Sequence, residues 1–129
     1  MTGSTFISAR LESPAWRFSL VLVLLIAASY PEVVLGISAF FFRDFGYFGF
    51  PLARYLEQHL LSGQLPLWNP LSNCGVPFLA QWNTMVLYPG SWLVALVGAD
   101  RGLGWFCLAH QAWGGLGMFL LARHYSGSL

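Results

Sequence analysis

The chain has 129 residues, of which 57% are hydrophobic and only 9% are charged, and its mean hydropathy is +0.62. A soluble domain carries about 25% charged residues, so this composition favours a surface that faces lipid and predicts the lipid bilayer as a partner. Six arginines against five acids give a net charge of +1, too little and too dispersed a positive charge for a nucleic-acid-binding surface.

The first third of the chain predicts a polar tail followed by a membrane span. Residues 1–16 are rich in Ser and Thr and are expected to form a disordered cytoplasmic tail. Residues 17–39 predict transmembrane helix 1, because about 20 apolar residues cross a bilayer and Glu32 is the one charge after Arg17. A cleaved signal peptide is the alternative for this stretch. Glu32 is then an intramembrane functional acid, or an acid near the interface that reaches the headgroups.

Residues 40–89 predict a long loop on the outer side of the membrane. Within this loop, residues 52–62 have helical periodicity, and Gly63 follows as a stop signal. One arc of this helix is apolar and comprises Leu52, Ala53, Tyr55, Leu56 and Leu60. The other arc is polar and comprises Arg54, Glu57, Gln58 and Ser62. Eleven residues are too few to cross a bilayer. The pattern therefore predicts an amphipathic helix that lies in the plane of the interface.

The last third predicts a second span. Residues 90–98 are apolar but short and are expected to form a membrane-embedded half-helix, residues 102–123 form transmembrane helix 2, and residues 124–129 form a tail. The glycines at positions 114, 115 and 117 would let another helix approach closely. The fold class predicted is an all-α membrane protein of two transmembrane helices. It is expected in the plasma membrane as a multi-pass protein, with both termini inside and the loop outside.

The sequence contains no motif typical of a nucleotide-binding or metal-dependent enzyme. It has no glycine-rich phosphate loop and no serine-nucleophile elbow, and Cys74 and Cys107 lack partners at metal-ligand spacing. No cofactor and no metal site are therefore predicted, although a divalent cation near the loop acids stays open.

Several pieces of the loop resemble one known family. Together they resemble the N-terminal region of the YfhO-type bacterial membrane proteins over residues 31–123. The pieces are Phe42-Arg43-Asp44, then Leu65-Pro66-Leu67-Trp68-Asn69-Pro70, then Gly75-Val76-Pro77-Phe78-Leu79-Ala80, then Tyr88-Pro89, and later His110, Gly115-Leu116-Gly117-Met118 and Leu121-Ala122-Arg123. The order and spacing of the PLWNP and G-x-P-F-x-A pieces carry most of the specificity.

The resemblance implies a GT-C glycosyltransferase. Such enzymes transfer a sugar from a polyprenyl-phosphate lipid to an acceptor on the outer face of the membrane, such as a cell-wall polymer. In that family the first outer loop carries an essential acid, and Asp44 occupies the matching position. Because GT-C proteins have many spans, the chain is expected to be an N-terminal part that is inactive alone and that partners with the remaining helices of a larger chain or with a membrane protein.

The chemistry of sugar transfer suggests roles for the loop residues. Asp44 is the candidate catalytic base, and Arg43 is expected to pair with it or to bind the lipid phosphate. Glu57 and His59 on the short helix are candidates for substrate or cation contacts, or simply face water.

Three other polar positions have both a functional and a structural interpretation. Trp68 and Asn69 are candidates to contact a sugar by stacking and amide hydrogen bonds, or to fix a proline-bounded turn. His110 is a candidate intramembrane polar group, or a packed histidine hydrogen-bonded to another helix.

Two other functions compete with the glycosyltransferase. One is a non-catalytic, two-span membrane interaction protein that docks through its glycines. The other is a fragment of a transporter, in which Glu32 and His110 would matter more than Asp44.

Overall fold

The computed structural model describes residues 4–126, with side chains from residue 15 onward. Its elements are α1 (Ser4–Ser29), α2 (Pro31–Val34), a π turn (Phe45–Gly49), α3 (Phe50–Leu61), a 3-10 turn (Trp82–Thr84), α4 (Pro89–Val97) and α5 (Ala99–Ser126). The described residues contain no strand beyond one isolated antiparallel bridge between Asn69 and Val76. The parts of the predicted tails at residues 1–3 and 127–129 lie outside the described residues.

The prediction of two transmembrane helices is wrong. Among the described residues, no helix combines the length and the apolar character that crossing a bilayer requires. In α1 the apolar run over residues 18–28 ends at Ser29, and α2 then has only four residues, so the stretch 17–39 is not one helix. In α5 the adjacent polar pair His110 and Gln111, together with several glycines, interrupts the apolar residues.

The chain divides into two compact units, and the first comprises residues 1–31 with residues 107–129. Within it, the rings of Phe18 and Phe119 stack at a centroid distance of 4.3 Å. Gly115 lies against Leu22, because a Cβ atom at Gly115 would stand 2.7 Å from Leu22 Cδ2. Of the three predicted packing glycines, Gly115 contacts α1, whereas a Cβ atom at Gly114 or Gly117 would meet no described group within 4 Å.

The second unit comprises residues 32–106, and α3 lies at its centre. The core residues Leu56, Phe78 and Val86 are buried together, and further apolar side chains pack around them, namely Leu52, Tyr55, Leu60 and Leu79. The apolar side of α3 is therefore covered by the segment that follows it in the chain. This packing replaces the lipid contact that its amphipathic pattern predicted.

Helix α4 and the first residues of α5, up to Phe106, complete the second unit by close backbone contact. A Cβ atom at Gly102 would stand 2.8 Å from the carbonyl oxygen of Val94, so the glycine allows the two helices to approach. The indole N–H of Trp92 donates to the Val86 carbonyl at 2.5 Å. The indole N–H of Trp105 donates to the Val33 carbonyl at 3.0 Å, which ties α2 to α5.

Candidate functional site

Arg43 and Asp44 lie immediately before the π turn, at the amino end of the helical segment that continues into α3. Arg43 adopts φ +53°, a left-handed conformation that costs a non-glycine residue roughly 1–3 kcal/mol. Its carbonyl accepts the N–H groups of Gly46 and Tyr47, each at 3.1 Å. The strained backbone of Arg43 thus begins the turn and sets the orientation of Asp44.

The side chains of Arg43 and Asp44 are exposed and do not pair with each other. The salt bridges within the described residues involve Arg54, and Asp44 makes no side-chain bond to the turn that it precedes. The guanidinium of Arg43 lies 6.0 Å from the ring centroid of Phe42. Both charged groups are therefore accessible to a ligand, and their predicted ion pair is absent from this part of the structure.

Gly46 allows a close backbone approach at the amino end of the helical segment. A Cβ atom at this position would stand 2.5 Å from the carbonyl oxygen of Phe41, so only glycine allows the first turn to fold against the preceding chain. The ring of Phe41 also meets that of Phe50 edge-on, with centroids 6.3 Å apart. Phe41 thus contacts both Gly46 and Phe50, although Phe41 and Asp44 are exposed.

Glu57 has the opposite environment, because its carboxylate is buried and has partners on two elements. Its two oxygens accept bonds from Arg54 Nη1 at 3.0 and 3.1 Å, and Oε2 also accepts the backbone N–H of Ala99 at 2.9 Å. That N–H opens α5, where a carboxylate is favoured by the free amides and the helix dipole. Arg54 in turn lies 3.7 Å from Asp100. Glu57 therefore joins α3 to the start of α5.

His59 lies one turn beyond Tyr55 on α3 and is directed back along the helix. Its Nδ1 is 2.9 Å from the Tyr55 carbonyl oxygen, and its ring centroid is 4.2 Å from that of Tyr55. The side chain is half-buried in this position. His59 packs beside an aromatic ring on its own helix, while Glu57 bonds to α5.

Trp68 and Asn69 lie in a loop that is fixed by side-chain and backbone bonds. Asn69 is buried; its Oδ1 accepts the N–H of Leu71 at 2.9 Å and its Nδ2 donates to Ser72 Oγ at 3.3 Å. Its backbone N–H and C=O both bond to Val76, at 2.8 and 2.9 Å. Asn69 thus fixes the turn, as the structural alternative in its sequence context indicates.

Trp68 differs from Asn69 because it is 55% exposed. Its backbone carbonyl accepts the Tyr55 hydroxyl at 2.7 Å, so the loop is bonded to α3. Along the helical segment, Tyr55 is eleven residues beyond Asp44, which is about 16 to 17 Å at 1.5 Å per residue. Trp68 and Asp44 are therefore both accessible but do not form one small pocket.

Glu32 and His110 were predicted as intramembrane polar groups, and that placement depended on spans that the described residues do not form. Both side chains are exposed. Glu32 lies in the first turn of α2, and its backbone carbonyl accepts the N–H groups of Ile37 and Ser38 at 2.8 and 3.2 Å.

Sequence reasoning missed two residues that position the site. Tyr55 was placed on the apolar arc of α3, and its ring does pack 4.8 Å from that of Phe78, but its hydroxyl also bonds the loop. Gly75 was noted only as part of a motif, whereas it lies directly under the Trp68 indole. No local sequence signal marks this contact: Gly75 lies six residues after Asn69, in a turn where the structure gives Asn73 and Cys74 positive φ as well.

The described residues contain no cluster of three His, Cys, Asp or Glu side chains that could hold a metal ion. Both cysteines are free: Cys74 is exposed, and burial raises the pKa of the Cys107 thiol above its ordinary value. The chemistry available at these positions is thus that of the exposed carboxylate and guanidinium before the π turn and of the indole on the loop.

No protein-family model, curated protein or solved structure matches this chain. The resemblance to YfhO-type proteins therefore stays a prediction that rests on the residues themselves.

Proposed function

We propose that the chain is the N-terminal part of a glycosyltransferase that works at the outer face of the cell membrane. It would take a sugar from a polyprenyl-phosphate donor and transfer it to a hydroxyl of an outer acceptor such as a cell-wall polymer. The motif resemblance suggests this class. The observation that carries the proposal is that Asp44, the acid at the matching position, is exposed and makes no salt bridge within the described residues, beside an equally accessible Arg43.

The proposed reaction assigns one role to each charged group. The Asp44 carboxylate takes the proton of the acceptor hydroxyl as its oxygen attacks the anomeric carbon of the donor sugar. The bond between that carbon and the phosphate oxygen breaks, and its electron pair leaves with the polyprenyl phosphate. The guanidinium of Arg43 binds the departing phosphate, whose geometry matches two parallel N–H donors. The anomeric centre is inverted.

Glu57 is not proposed as a second base. Its carboxylate already accepts bonds from Arg54 and from the Ala99 N–H, and moving it toward a substrate would leave both donors without their partner. Its proposed contribution is to hold α3, and through the helical segment Asp44, in a defined position.

The test is Asp44→Asn in the protein as the cell makes it, with sugar transfer measured from a polyprenyl-phosphate sugar. Loss of a general base lowers the rate by about 100-fold or more. Asp100→Asn is the matched control, because Asp100 is also an exposed aspartate and lies outside the proposed chemistry. Transfer at the normal rate by the Asp44→Asn protein, at normal abundance, would rule out the catalytic role.

A non-catalytic interaction protein is the second candidate, and the outward side of α4 favours it. Four apolar side chains there are substantially exposed, at positions Trp92, Leu93, Leu96 and Val97. Contiguous exposed apolar groups on a helix are typical of a surface that another molecule covers. This function predicts co-purification with a larger protein that is lost in Leu93→Ser/Leu96→Ser, and no effect of Asp44→Asn.

A further inference from the structure

The indole of Trp68 is held more firmly than its exposure suggests. On the backbone side, the Tyr55 hydroxyl bonds the Trp68 carbonyl at 2.7 Å, and the next residue, Asn69, forms two backbone bonds with Val76. Pro66, two residues earlier, is almost completely buried. The chain on both sides of Trp68 is therefore anchored, and little rotational freedom remains to be lost when a ligand binds.

Gly75 fixes the ring itself. At φ +108° it has a conformation that L side chains rarely adopt, and a Cβ atom there would stand 2.6 Å from Cζ2 and 2.8 Å from both Cε2 and Nε1 of Trp68. The indole therefore lies directly against the backbone at Gly75. Since Trp68 is still 55% exposed as a residue, the surface of the ring that Gly75 does not cover is open to a ligand.

The indole N–H of Trp68 also differs from those of two other tryptophans. Trp92 and Trp105, which are also partly exposed, donate their N–H groups to backbone carbonyls at 2.5 and 3.0 Å. Among the described residues, no acceptor is recorded for the Trp68 N–H. Trp68 thus combines a fixed aromatic surface with a free hydrogen-bond donor at its edge.

We infer that Trp68, positioned by Tyr55 and Gly75, is a carbohydrate-binding platform for the acceptor glycan. A pyranose ring offers C–H groups that pack on an aromatic face and hydroxyls that accept from an indole N–H. This inference rests on the proposed function and deepens it. Along the helical segment, Asp44 is about 16 to 17 Å from Tyr55, the residue that bonds Trp68, and this is more than one sugar ring bridges; the platform is therefore assigned a unit of the acceptor chain remote from the reacting hydroxyl.

The experiment follows the indole N–H signals of the full 129-residue chain by NMR while one tetrasaccharide at a time is added: chitotetraose, cellotetraose or maltotetraose. We expect at least one of them to shift the Trp68 signal, and Trp68→Ala to weaken its binding by about tenfold, the combined effect of one stacked ring and one hydrogen bond. Trp68→Phe, which keeps a ring for packing but lacks the donor, should weaken binding less.

Two matched controls separate the platform from general damage. Trp82 is 90% exposed, and no glycine contact like that of Gly75 with Trp68 is described for its ring. Trp82→Ala should therefore bind the tetrasaccharide as the unmodified chain does. Gly63 has positive φ like Gly75 but open space around it, so Gly63→Ala should leave binding unchanged while Gly75→Ala displaces the indole and weakens it. Equal binding by the Trp68→Ala chain, or no shift with any of the three sugars, would overturn the inference.

The assignments of Trp68 as a platform and of Asp44 as the catalytic base can be tested independently. Asp44→Asn should bind the tetrasaccharide normally and yet transfer no sugar, whereas Trp68→Ala should raise KM for the acceptor with kcat nearly unchanged. If Asp44→Asn keeps full transfer, the base assignment falls and the platform stands. If Trp68→Ala lowers kcat with KM unchanged, the assignment to a remote acceptor unit falls.

Discussion

Asp44 and Glu57 lie on one continuous helical segment and yet have opposite environments. At the amino end, Asp44 is exposed and its backbone follows a strained Arg43, whereas Glu57 is buried and bonded to Arg54 and to the first amide of α5. Burial of a carboxylate costs free energy unless its oxygens accept hydrogen bonds, so Glu57 has to keep its structural partners. An exposed carboxylate is solvated by water and does not need such partners. The contrast shows which acid the fold needs and which it leaves free for a ligand.

The largest loss of stability should come from a substitution in the core that packs against Tyr55. Phe78→Ala removes a fully buried ring at the centre of the second unit and should lower the free energy of unfolding by about 3–5 kcal/mol. Phe42→Ala is the matched change at the open end, where the ring is 82% exposed, and should cost about 0.5 kcal/mol or less. Chemical denaturation measures both. Similar losses for the two would mean that the amino end is as packed as the core.

The second largest effect should be the difference in stability between variants of the two acids, Glu57 and Asp44. Glu57→Ala leaves Arg54 and the Ala99 N–H without their acceptor and should lower the free energy of unfolding by about 2–3 kcal/mol. Asp44→Ala should change it by about 0.5 kcal/mol or less, because no bond within the described residues is lost. Denaturation of the two variants side by side gives the difference. A larger cost for Asp44 would place it among the structural residues.

The smallest effect concerns the helix that Glu57 caps. Gly102→Ala places a methyl group 2.8 Å from a backbone oxygen of α4 and should cost about 1–2 kcal/mol. Gly114→Ala in the same helix meets open space and should instead stabilise by up to about 1 kcal/mol, since alanine is the better helix former. Thermal unfolding followed by circular dichroism compares them. Stabilisation by Gly102→Ala would show that α4 and α5 need not approach closely.

The sequence predicted the helical character of this chain better than the surroundings of its helices. The apolar arc of α3 was visible in the spacing of Leu52, Leu56 and Leu60, but spacing does not distinguish a lipid phase from a protein core, because both are apolar. The residue that covers this arc, Phe78, lies beyond two intervening turns. The same ambiguity led the apolar composition to be interpreted as two membrane spans.

The site residues show a similar limit. Asn69 could be understood from its own sequence context, since an asparagine between prolines favours a turn. The burial of Glu57 could not, because the amide that it accepts belongs to Ala99, 42 residues away in the chain. Nor could the contact of Gly75 with Trp68, which exists only once the bridge between Asn69 and Val76 has closed the loop. Contacts that the chain makes with itself over a distance leave no local pattern.

The hydrogen bond from Tyr55 to Trp68 has a consequence for the order in which the second unit assembles. It closes a loop of 13 residues, whereas the bond from Trp105 to Val33 closes one of 72. Loop-closure entropy grows with the logarithm of length, so the longer closure costs about 1.5 kcal/mol more. During synthesis, a chain that has emerged as far as Val86 already contains α3, the loop and their shared core. The tryptophan platform can therefore form on the ribosome before α5 is made, and the first residues of α5, which include Ala99 and Trp105, then add to a segment that is already folded.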